Sequence, residues 1–404
     1  MNKKRAAIFT SHVLSDFAHP NAPRLVNIAT LLQGSGYEPS LYGVSQKFDA
    51  NGVLKGFHYE DWNLGVGRKA RKERFSNWKA HIDKVLAEIQ PDLIVSAVSE
   101  TQSARIGNYL ANYAARVGVP LIVSIVEWFS FVHFSGYGKF DNFRASKYKN
   151  YLLHEYTMRF VNPRRRNLIV ISSYLERYYL AKGCSVLTLP TLIDPTEYAN
   201  ARKTREEDGK TRVVYAGSPR RKDCIMNAFK ALALLSDAER ARLEFHIFGA
   251  EERELKTLGH SQELSEKIKS SLKLHGRIPY AEVKQQVANA DFTILLRENK
   301  RNANAGFSTK VGESMACGTP VIANLTSDLD RCVLEGKTGL ICRDESPESC
   351  ANAFRRALAL DRPSLDVMRA NCKTKTAEYF SVNAFFDATR DFLENKLQTF
   401  SKGK

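Results

Sequence analysis

The chain has 404 residues, of which 43% are hydrophobic and 26% are charged. This is an ordinary globular composition and excludes a disordered chain, and the length predicts two or three domains that each bury a core. The formal net charge of +16 favours contact with an anionic partner, which is nucleic acid, a phospholipid surface or a phosphorylated substrate.

The cysteines and the apolar stretches indicate in which cellular compartment the protein is expected. The seven cysteines are odd in number and show no Cys-x-x-Cys spacing, which favours reduced thiols over a disulfide framework or a zinc site. The longest apolar stretches, such as residues 121–126 and 168–171, are too short to cross a bilayer. The basic start, residues 1–5, is not followed by the apolar core of a signal peptide. We therefore expect a cytoplasmic protein without a membrane span.

Apolar runs alternate with amphipathic stretches along the N-terminal half. Nearly continuous apolar strands that alternate with helices predict a parallel sheet covered on both faces. The predicted strands are residues 6–9, 93–98, 120–126 and 167–172, and the predicted helices are residues 22–32, 77–89, 102–117 and 148–161.

The polar run 201–211, preceded by prolines, interrupts this pattern and is typical of an interdomain linker. The alternation then resumes, with strands predicted at residues 212–216, 243–248, 292–296, 320–323 and 339–342. We predict an α/β protein of two facing Rossmann-like domains with a ligand site in the cleft between them. The expected domains are residues 1–200 and 201–379, with a helix in 380–404 that packs back on the first domain.

The strongest chemical signal is the run 304–324, in which a loop containing Gly306 leads into a short helix with Ser308 at its N-cap. Free N–H groups at such a helix start favour an anion. Lys310 and Glu313 are three residues apart and share one helix face. The lysine can neutralise a phosphate and the carboxylate can accept hydrogen bonds from sugar hydroxyls. The alternative is an ordinary solvated ion pair on a surface helix.

The run 306–323 resembles the donor-binding motif of family 4 glycosyltransferases, especially the bacterial polysaccharide-assembly branch. This resemblance implies the GT-B fold, a nucleotide-sugar donor, retention of configuration, and contact between Glu313 and the nucleotide ribose. The family usually carries another glutamate eight residues earlier, where this chain has Ala305. We expect the backbone of residues 306–309 and the Lys310 side chain to replace that contact.

A second basic loop, residues 213–223, runs from a strand through a glycine to Arg220, Arg221 and Lys222. Cations are unfavourable at a helix start, so the pattern indicates an anion between them; the alternative is simply a basic turn. The loop resembles the family's Gly-Ser…Lys element, which implies that Lys222, and next Arg221, neutralise the diphosphate leaving group.

A third stretch, residues 272–280, resembles the family's loop beside the nucleobase. The resemblance implies that Arg277 and Ile278 contact the base, whereas His275 is interpreted as a packing residue. We expect protein cations, with no metal ion and no cofactor, to stabilise the departing phosphate.

Three residues of the N-terminal half are candidates for the acceptor side. Arg24 starts the helix after the first strand and is expected to contact a phosphate or the acceptor. Glu127 follows a buried strand and is expected to accept the proton of the acceptor hydroxyl or to orient a sugar; the alternative is an interdomain ion pair. His133 is a weaker acceptor candidate, because loop histidines usually pack or face solvent.

Collected by role, the predicted residues form a catalytic, a donor-binding and an acceptor-binding set, with no metal ligand. These sets are Glu127, Lys222 and Lys310 for catalysis; Gly217, Ser218, Arg221, Lys222, Arg277, Ile278, Gly306, Phe307, Ser308, Thr309, Lys310 and Glu313 for the donor; and Arg24 and His133 for the acceptor.

Two basic segments with aromatic residues, 68–79 and 139–166, favour peripheral contact with the anionic inner face of the cell membrane; the alternative is a solvated charged face.

We expect a glycosyltransferase that transfers a sugar from a nucleotide-sugar onto a glycan or polyprenyl-linked acceptor in capsule or O-antigen synthesis, and the favoured donor is a UDP-sugar. The alternatives are a sugar-nucleotide 2-epimerase or hydrolase of the same fold and a basic nucleic-acid-binding protein. The last is disfavoured because the sequence has no recognisable nucleic-acid module.

Overall fold

A computed structural model describes residues 3–15, 21–45, 48–65, 67–98, 100–131, 145–219, 221–259 and 261–398. The chain folds into two compact units, one formed by residues 1–190 and 385–404 and the other by residues 191–384. The divisions therefore follow Pro190 and Ala384, close to the bounds near 200 and 380 that the sequence suggests.

The N-terminal unit is built on an eight-stranded sheet with the order β3-β4-β2-β1-β5-β6-β7-β8. Its neighbouring strands are parallel except for the antiparallel pair β3 and β4. The strands are β1 Lys4–Thr10, β2 Tyr37–Ser45, β3 Ala50–Leu54, β4 Phe57–Asn63, β5 Leu93–Ala97, β6 Leu121–Ile125, β7 Asn167–Val170 and β8 Ser185–Thr188.

Helices cover this sheet. Three of them begin within three residues of the predicted positions, whereas α2 begins ten residues before the predicted start at 77 and α5 was not predicted. The helix α4 continues without a break through a π-helical turn, Thr157–Val161, and a last turn, Asn162–Arg165. The helices are α1 Asn21–Gly34, α2 Gly67–Ile89, α3 Glu100–Val117, α4 Ala145–Tyr156 and α5 Ser173–Leu180.

The C-terminal segment belongs to the N-terminal unit. After the turn Val382–Phe385 comes α15, Phe386–Asp391, which continues into the π-helical turn Phe392–Lys396. A Cβ placed on Gly34 would lie 2.3 Å from Cε1 of Phe386, so the absence of a side chain at Gly34 makes room for this ring. The Asn167 side chain donates to the Gln398 carbonyl at 2.7 Å and accepts from the Gln398 N–H at 2.7 Å, which anchors the end of the segment.

The C-terminal unit contains a six-stranded parallel sheet with the order β11-β10-β9-β12-β13-β14. Its strands are β9 Thr211–Ala216, β10 Leu243–Phe248, β11 Leu272–Leu274, β12 Phe292–Leu295, β13 Val321–Asn324 and β14 Gly339–Cys342. Its helices are α6 Ile225–Ala233, α7 Asp237–Arg242, α8 Glu252–Thr257, α9 Gln262–Ile268, α10 Tyr280–Asn289, α11 Arg301–Ala305, α12 Thr309–Ala316, α13 Pro347–Ala359 and α14 Arg362–Tyr379. Short 3₁₀ turns occur at Pro195–Tyr198, Arg221–Asp223 and Leu329–Arg331.

The polar run 201–211 is held against the C-terminal sheet rather than hanging free. Asp291, which is only 1% exposed, forms ion pairs with Lys203 at 3.3 Å, Arg205 at 2.8 Å and Arg362 at 2.9 Å. Burying this carboxylate is tolerable because several cations and a backbone N–H meet it. The run therefore belongs structurally to the C-terminal unit.

Within the part of the chain that the structure describes, no helix combines the length and the apolar character needed to span a membrane.

Candidate functional site

The order of the C-terminal sheet changes direction between β9 and β12, which are neighbours at its centre. Open α/β sheets bind ligands beyond the carboxyl ends of their strands at such a switch point. At this edge Gly217 follows β9, Arg297 follows β12 after one intervening residue, and α12 precedes β13. Residues from these three segments form the candidate site.

Lys310, the second residue of α12, reaches the end of β9. Its Nζ donates a hydrogen bond to the Tyr215 hydroxyl at 3.2 Å and lies 4.8 Å from the centre of the Tyr215 ring. A Cβ on Gly217 would lie 2.7 Å from the Lys310 Cε, and Gly217 has a φ of +129°. A larger residue at 217 would therefore displace the lysine and strain the backbone.

Asp223 is the carboxylate of this site and is only 3% exposed. Its Oδ1 lies 2.9 Å from Nη2 of Arg297 and 3.6 Å from Nζ of Lys310. One buried carboxylate thus orients two cations that come from different segments of the chain.

The balance of charge in this cluster is positive. Burial lowers the pKa of Lys310, and the positive charges of Arg297 and Lys222 lower it further, whereas Asp223 raises it. Three cations therefore act together at this edge with Asp223, and an anionic ligand would relieve their mutual repulsion. A diphosphate has the charge that this arrangement accommodates.

The start of α12 contributes backbone donors. Ser308 occupies the N-cap position, as the sequence predicts, but its side chain makes no capping hydrogen bond. The Ser308 side chain therefore caps none of the first-turn N–H groups of α12, although the Val311 N–H donates to the Ser308 backbone carbonyl at 3.3 Å. The start of the helix also carries the positive end of its dipole. Gly306 is buried, Thr309 is half-buried, and the Phe307 ring packs 5.8 Å from the Phe380 ring.

Glu313 lies one turn further along α12 and lines a pocket of about 490 Å³, a volume that includes space open to solvent. Burial raises the pKa of Glu313, while Lys310 and the Tyr280 hydroxyl act against that rise. The Tyr280 hydroxyl donates to Oε1 of Glu313 at 3.4 Å and lies 3.2 Å from the Tyr198 hydroxyl. The carboxylate is thus placed among hydroxyl groups, which suits recognition of a diol.

Neither of the residues predicted to contact a nucleobase is among those that line the pocket beside Glu313. Arg277 is exposed and forms an ion pair with Glu254 at 2.7 Å, whereas Ile278 packs on the apolar core of the unit. The His275 ring stacks on Phe248 at 4.3 Å between ring centres, as expected of a packing residue.

The predicted residues are only partly brought together. Lys222 and Lys310 act on the same cluster, and Ser218 is exposed in the loop after β9. For Arg221 the structure describes the backbone alone, within the turn that ends at Asp223. Arg220 lies outside the described residues.

The acceptor-side candidates lie in the N-terminal unit. Arg24 is buried in α1, with 9% of its surface exposed. Glu127 follows β6 and is half-buried. His133 falls outside the described residues.

One sequence feature bears on metal binding and was overlooked. Asp328 and Asp330 have Asp-x-Asp spacing; Asp328 is 2% exposed and stands at the N-cap of the turn Leu329–Arg331. No group of three or more His, Cys, Asp or Glu side chains within the described ranges is arranged to hold a metal ion.

Sequence reasoning also missed Tyr215, Asp223, Arg297 and Tyr280. Two of them had a signal that could have been used: Asp223 directly follows Lys222, and Arg297 closely follows a predicted buried strand. Polar residues just beyond the carboxyl ends of parallel strands are candidates for ligand contact.

The family comparison covers the residues of this cluster. Residues 197–377 match the family model described as Glycosyl transferases group 1. The chain is a glycosyltransferase. The matched segment contains the whole Lys310, Asp223 and Arg297 cluster of this glycosyltransferase, as well as Glu313. None of the curated protein sequences matches the chain.

Solved structures share the fold along nearly the whole glycosyltransferase chain. Sucrose-phosphate synthase from Thermosynechococcus elongatus has a TM-score of 0.69 at 15% identity, covering 98% of this chain and 99% of that one. HepE from Anabaena, in complex with UDP and glucose, has a TM-score of 0.64 at 17% identity, with 98% and 100% covered. The lipopolysaccharide outer core galactosyltransferase WaaB has a TM-score of 0.65 at 15% identity, with 97% and 100% covered. These likenesses show the fold, two parallel-sheet Rossmann-like domains of the GT-B type.

Proposed function

We propose that this glycosyltransferase transfers a sugar from a nucleotide-sugar to a glycan or polyprenyl-linked acceptor. The donor that we favour is a UDP-sugar. The observation that carries the proposal is the cluster of Lys310 and Arg297, both half-buried, around the buried Asp223 at the switch point of the C-terminal sheet. HepE, which has the same fold, holds UDP and glucose in its structure.

The chemistry follows from where charge develops. Glycosyl transfer passes through an oxocarbenium-like state, and departure of the nucleotide leaves negative charge on its diphosphate. Preorganised cations and helix N–H groups that meet this charge lower the barrier. In this proposal Lys310, Lys222 and Arg297 stabilise the leaving diphosphate, the start of α12 contributes N–H groups, and Glu313 binds the ribose hydroxyls.

We further propose family 4 membership, retention of configuration, independence from divalent metal, and a place in cell-surface polysaccharide assembly. The resemblance of residues 306–323 to the family 4 motif supports the first two, and the protein cations support the third. The named role of WaaB in the lipopolysaccharide outer core motivates the fourth. On the acceptor side, Glu127 orients the attacking hydroxyl or receives its proton.

The test is release of nucleotide from a panel of sugar nucleotides, with and without lipid-linked acceptors. Lys310→Ala and Lys222→Ala should each lower kcat by about 100-fold, equivalent to about 3 kcal/mol of transition-state stabilisation. Lys256→Ala is the matched control, because Lys256 is an exposed lysine paired with Glu252. Full activity of both site variants would refute the donor assignment. Turnover that needs no acceptor would indicate an epimerase or hydrolase instead.

Metal independence has its own test, sharpened by the Asp-x-Asp spacing of Asp328 and Asp330. Activity should persist in excess EDTA. The proposal would be contradicted if EDTA abolished activity, if Mg²⁺ or Mn²⁺ restored it in the wild type, and if neither ion restored it in Asp330→Asn.

We also propose that the N-terminal unit docks on an anionic membrane, and α4 is the element that supports this. Tyr148, Leu152, Tyr156 and Phe160 follow one another at intervals of four residues, and each is between 49% and 56% exposed. Residues four apart lie on one side of a helix, so these side chains form an apolar stripe. Over residues 145–166, six Lys or Arg residues accompany one acidic residue, Glu155.

This composition suits the interface of an anionic bilayer, into which aromatic and aliphatic side chains insert while basic groups meet the lipid phosphates. The segment 68–79 is less suited, because Trp78 is 2% exposed and belongs to the core. Residues 139–144 of the second basic segment lie outside the described residues.

Vesicle sedimentation tests the docking. Wild-type protein should bind phosphatidylglycerol vesicles, release them at high salt, and bind phosphatidylcholine vesicles weakly. Leu152→Ser with Phe160→Ser should weaken binding at least tenfold, whereas Val367→Ser, at a 61% exposed position of the other unit, should not. Equal binding by both variants would refute the assignment to α4, and no binding by wild type would refute membrane contact.

A further inference from the structure

Arg24 is a buried cation of the N-terminal unit for which the donor chemistry gives no role. It lies in the first part of α1, is 9% exposed, and its Nη1 donates to the carbonyl oxygens of Leu189 and Pro190, each at 3.1 Å. These two hydrogen bonds hold one end of the guanidinium to the segment that follows β8.

The other edge of the same guanidinium is unmet. Nε and Nη2 of Arg24 are buried and have no hydrogen-bond partner among the described residues. The first turn of α1 contains no acidic residue. Burial lowers the pKa of Arg24 to about 10, which leaves the group charged at neutral pH. A buried charge without a counter-charge is costly, so the arrangement indicates a missing anion.

The geometry of the unmet edge is specific. Nε–H and Nη2–H point the same way along one side of a guanidinium, and two parallel donors of this kind match the two oxygens of a carboxylate or a phosphate. A lysine could not hold the two carbonyls and offer this paired edge at once.

The position of Arg24 is also that of a ligand contact. Arg24 lies at the N-terminal end of α1, which follows β1, and its anchors Leu189 and Pro190 follow β8. Both lie beyond the carboxyl ends of parallel strands, where open sheets bind ligands. At the end of β8 the hydroxyl of Thr188 is likewise buried without a partner among the described residues. The start of α1, a helix of 14 residues, adds the positive end of its dipole.

We propose that Arg24 binds an anionic group, a phosphate or a carboxylate, of the acceptor. This inference rests on the proposed function, since the cations of the C-terminal cluster already match the diphosphate of the donor. It implies that the acceptor carries an acidic group, as a phosphate-bearing or uronic-acid-bearing glycan does.

The experiment measures anion-dependent stability of the full chain by thermal unfolding, at constant ionic strength against chloride. Phosphate and acetate are the probes, and Lys310→Ala is the background, so that the donor cluster contributes less. Phosphate, acetate or both should raise the Tm of Lys310→Ala, and the rise should vanish in Lys310→Ala with Arg24→Met. An effect of phosphate alone indicates a phosphate site, and an equal effect of acetate indicates a carboxylate site.

If Arg24→Met does not fold, Arg24→Gln serves the same purpose, because its amide still donates to a carbonyl without carrying charge. An unchanged anion response in the Arg24 variants, or no response of the Lys310→Ala protein to either anion, would overturn the inference and leave Arg24 as a tie to the segment after β8. Failure of the proposed function is distinguishable, because it appears as unaltered donor turnover in Lys310→Ala.

Discussion

Lys310 and Arg297 in the C-terminal unit and Arg24 in the N-terminal unit are all cations withdrawn from water, but they are neutralised differently. Lys310 and Arg297 share the carboxylate of Asp223, whereas Arg24 is met by two carbonyl oxygens. The first arrangement is preorganised and keeps a positive excess. The second leaves two donors of one guanidinium unmet among the described residues. The two arrangements thus differ in how far the buried positive charge is neutralised before an anion binds.

The largest expected effect comes from removing the shared carboxylate. Asp223→Asn leaves the half-buried Lys310 and Arg297 without their counter-charge, so the free energy of unfolding should fall by about 2 kcal/mol. Chemical denaturation measures this change, and Asp237→Asn, at a 97% exposed carboxylate, is the control. A loss no larger than that of the control would show that Asp223 does not hold the cluster together.

A double variant sharpens the same comparison. Replacing Arg297 by Met in the Asp223→Asn protein removes one of the two uncompensated cations. The combined destabilisation should therefore be smaller than the sum of the single losses by about 1 kcal/mol or more. Strict additivity in the denaturation measurements would mean that the two groups are not coupled.

Glu313 and Glu244, two carboxylates of the C-terminal unit, should have smaller and opposite effects on how stability depends on pH. Because burial raises the pKa of Glu313, its native state holds a proton that the unfolded state releases, and stability should fall as pH rises from about 4.3 through the native pKa. Glu313→Gln should abolish this fall and be the more stable protein at neutral pH. Its affinity for a nucleoside should drop, because the carboxylate that accepts ribose hydrogen bonds is gone.

Glu244 is the matched control for that titration. Burial alone would raise the pKa of Glu244, but hydrogen bonds from Arg212, Lys210 and His246 lower it to about 2. Its contribution to stability should be complete above about pH 4.3 and be lost as pH falls towards 2. Stability curves of Glu244→Gln and Glu313→Gln that differ from wild type in the same direction would contradict these assignments.

The smallest effect is expected at Tyr280. Its hydroxyl donates to Glu313 over 3.4 Å, a long hydrogen bond that lowers the pKa of the carboxyl. Tyr280→Phe should therefore move the pH dependence of nucleoside binding to higher pH and cost less than about 1 kcal/mol of affinity at neutral pH. Titration calorimetry across pH measures both, and a shift to lower pH would show that Tyr280 does not act through Glu313.

The fold was largely readable from the sequence because its parallel strands are buried on both faces. The strands Leu93–Ala97 and Leu121–Ile125 consist almost wholly of apolar residues and lie where they were predicted. The strands between Tyr37 and Asn63 were missed. They form one side of the sheet, with β3 at its edge, and they mix polar with apolar residues, so their sequences lack a continuous apolar run.

The candidate site was readable only where its residues are contiguous. Lys310 and Glu313 stand in one motif, so their common face follows from helix periodicity. Asp223 meets Lys310 and Arg297 only because β9 and β12 are neighbours in the sheet, and strand order cannot be read from a local pattern. Likewise, the basic and aromatic composition of 68–79 and of 145–166 is similar, and it does not reveal that Trp78 faces the core whereas the stripe of α4 is exposed.

Calorimetric binding of a nucleoside diphosphate and of its nucleoside, to wild type and to Lys310→Met, tests the central claim most directly. UDP, GDP and ADP are compared first, and the one that wild type binds most tightly is used with its nucleoside. Wild type should bind the diphosphate at least tenfold more tightly than the nucleoside, and Lys310→Met should lose most of that advantage. Its nucleoside affinity should change much less, through the pKa of Glu313, which Lys310 lowers. A Lys310→Met protein that keeps the full advantage of the diphosphate would contradict the assignment of this cluster to the donor phosphates.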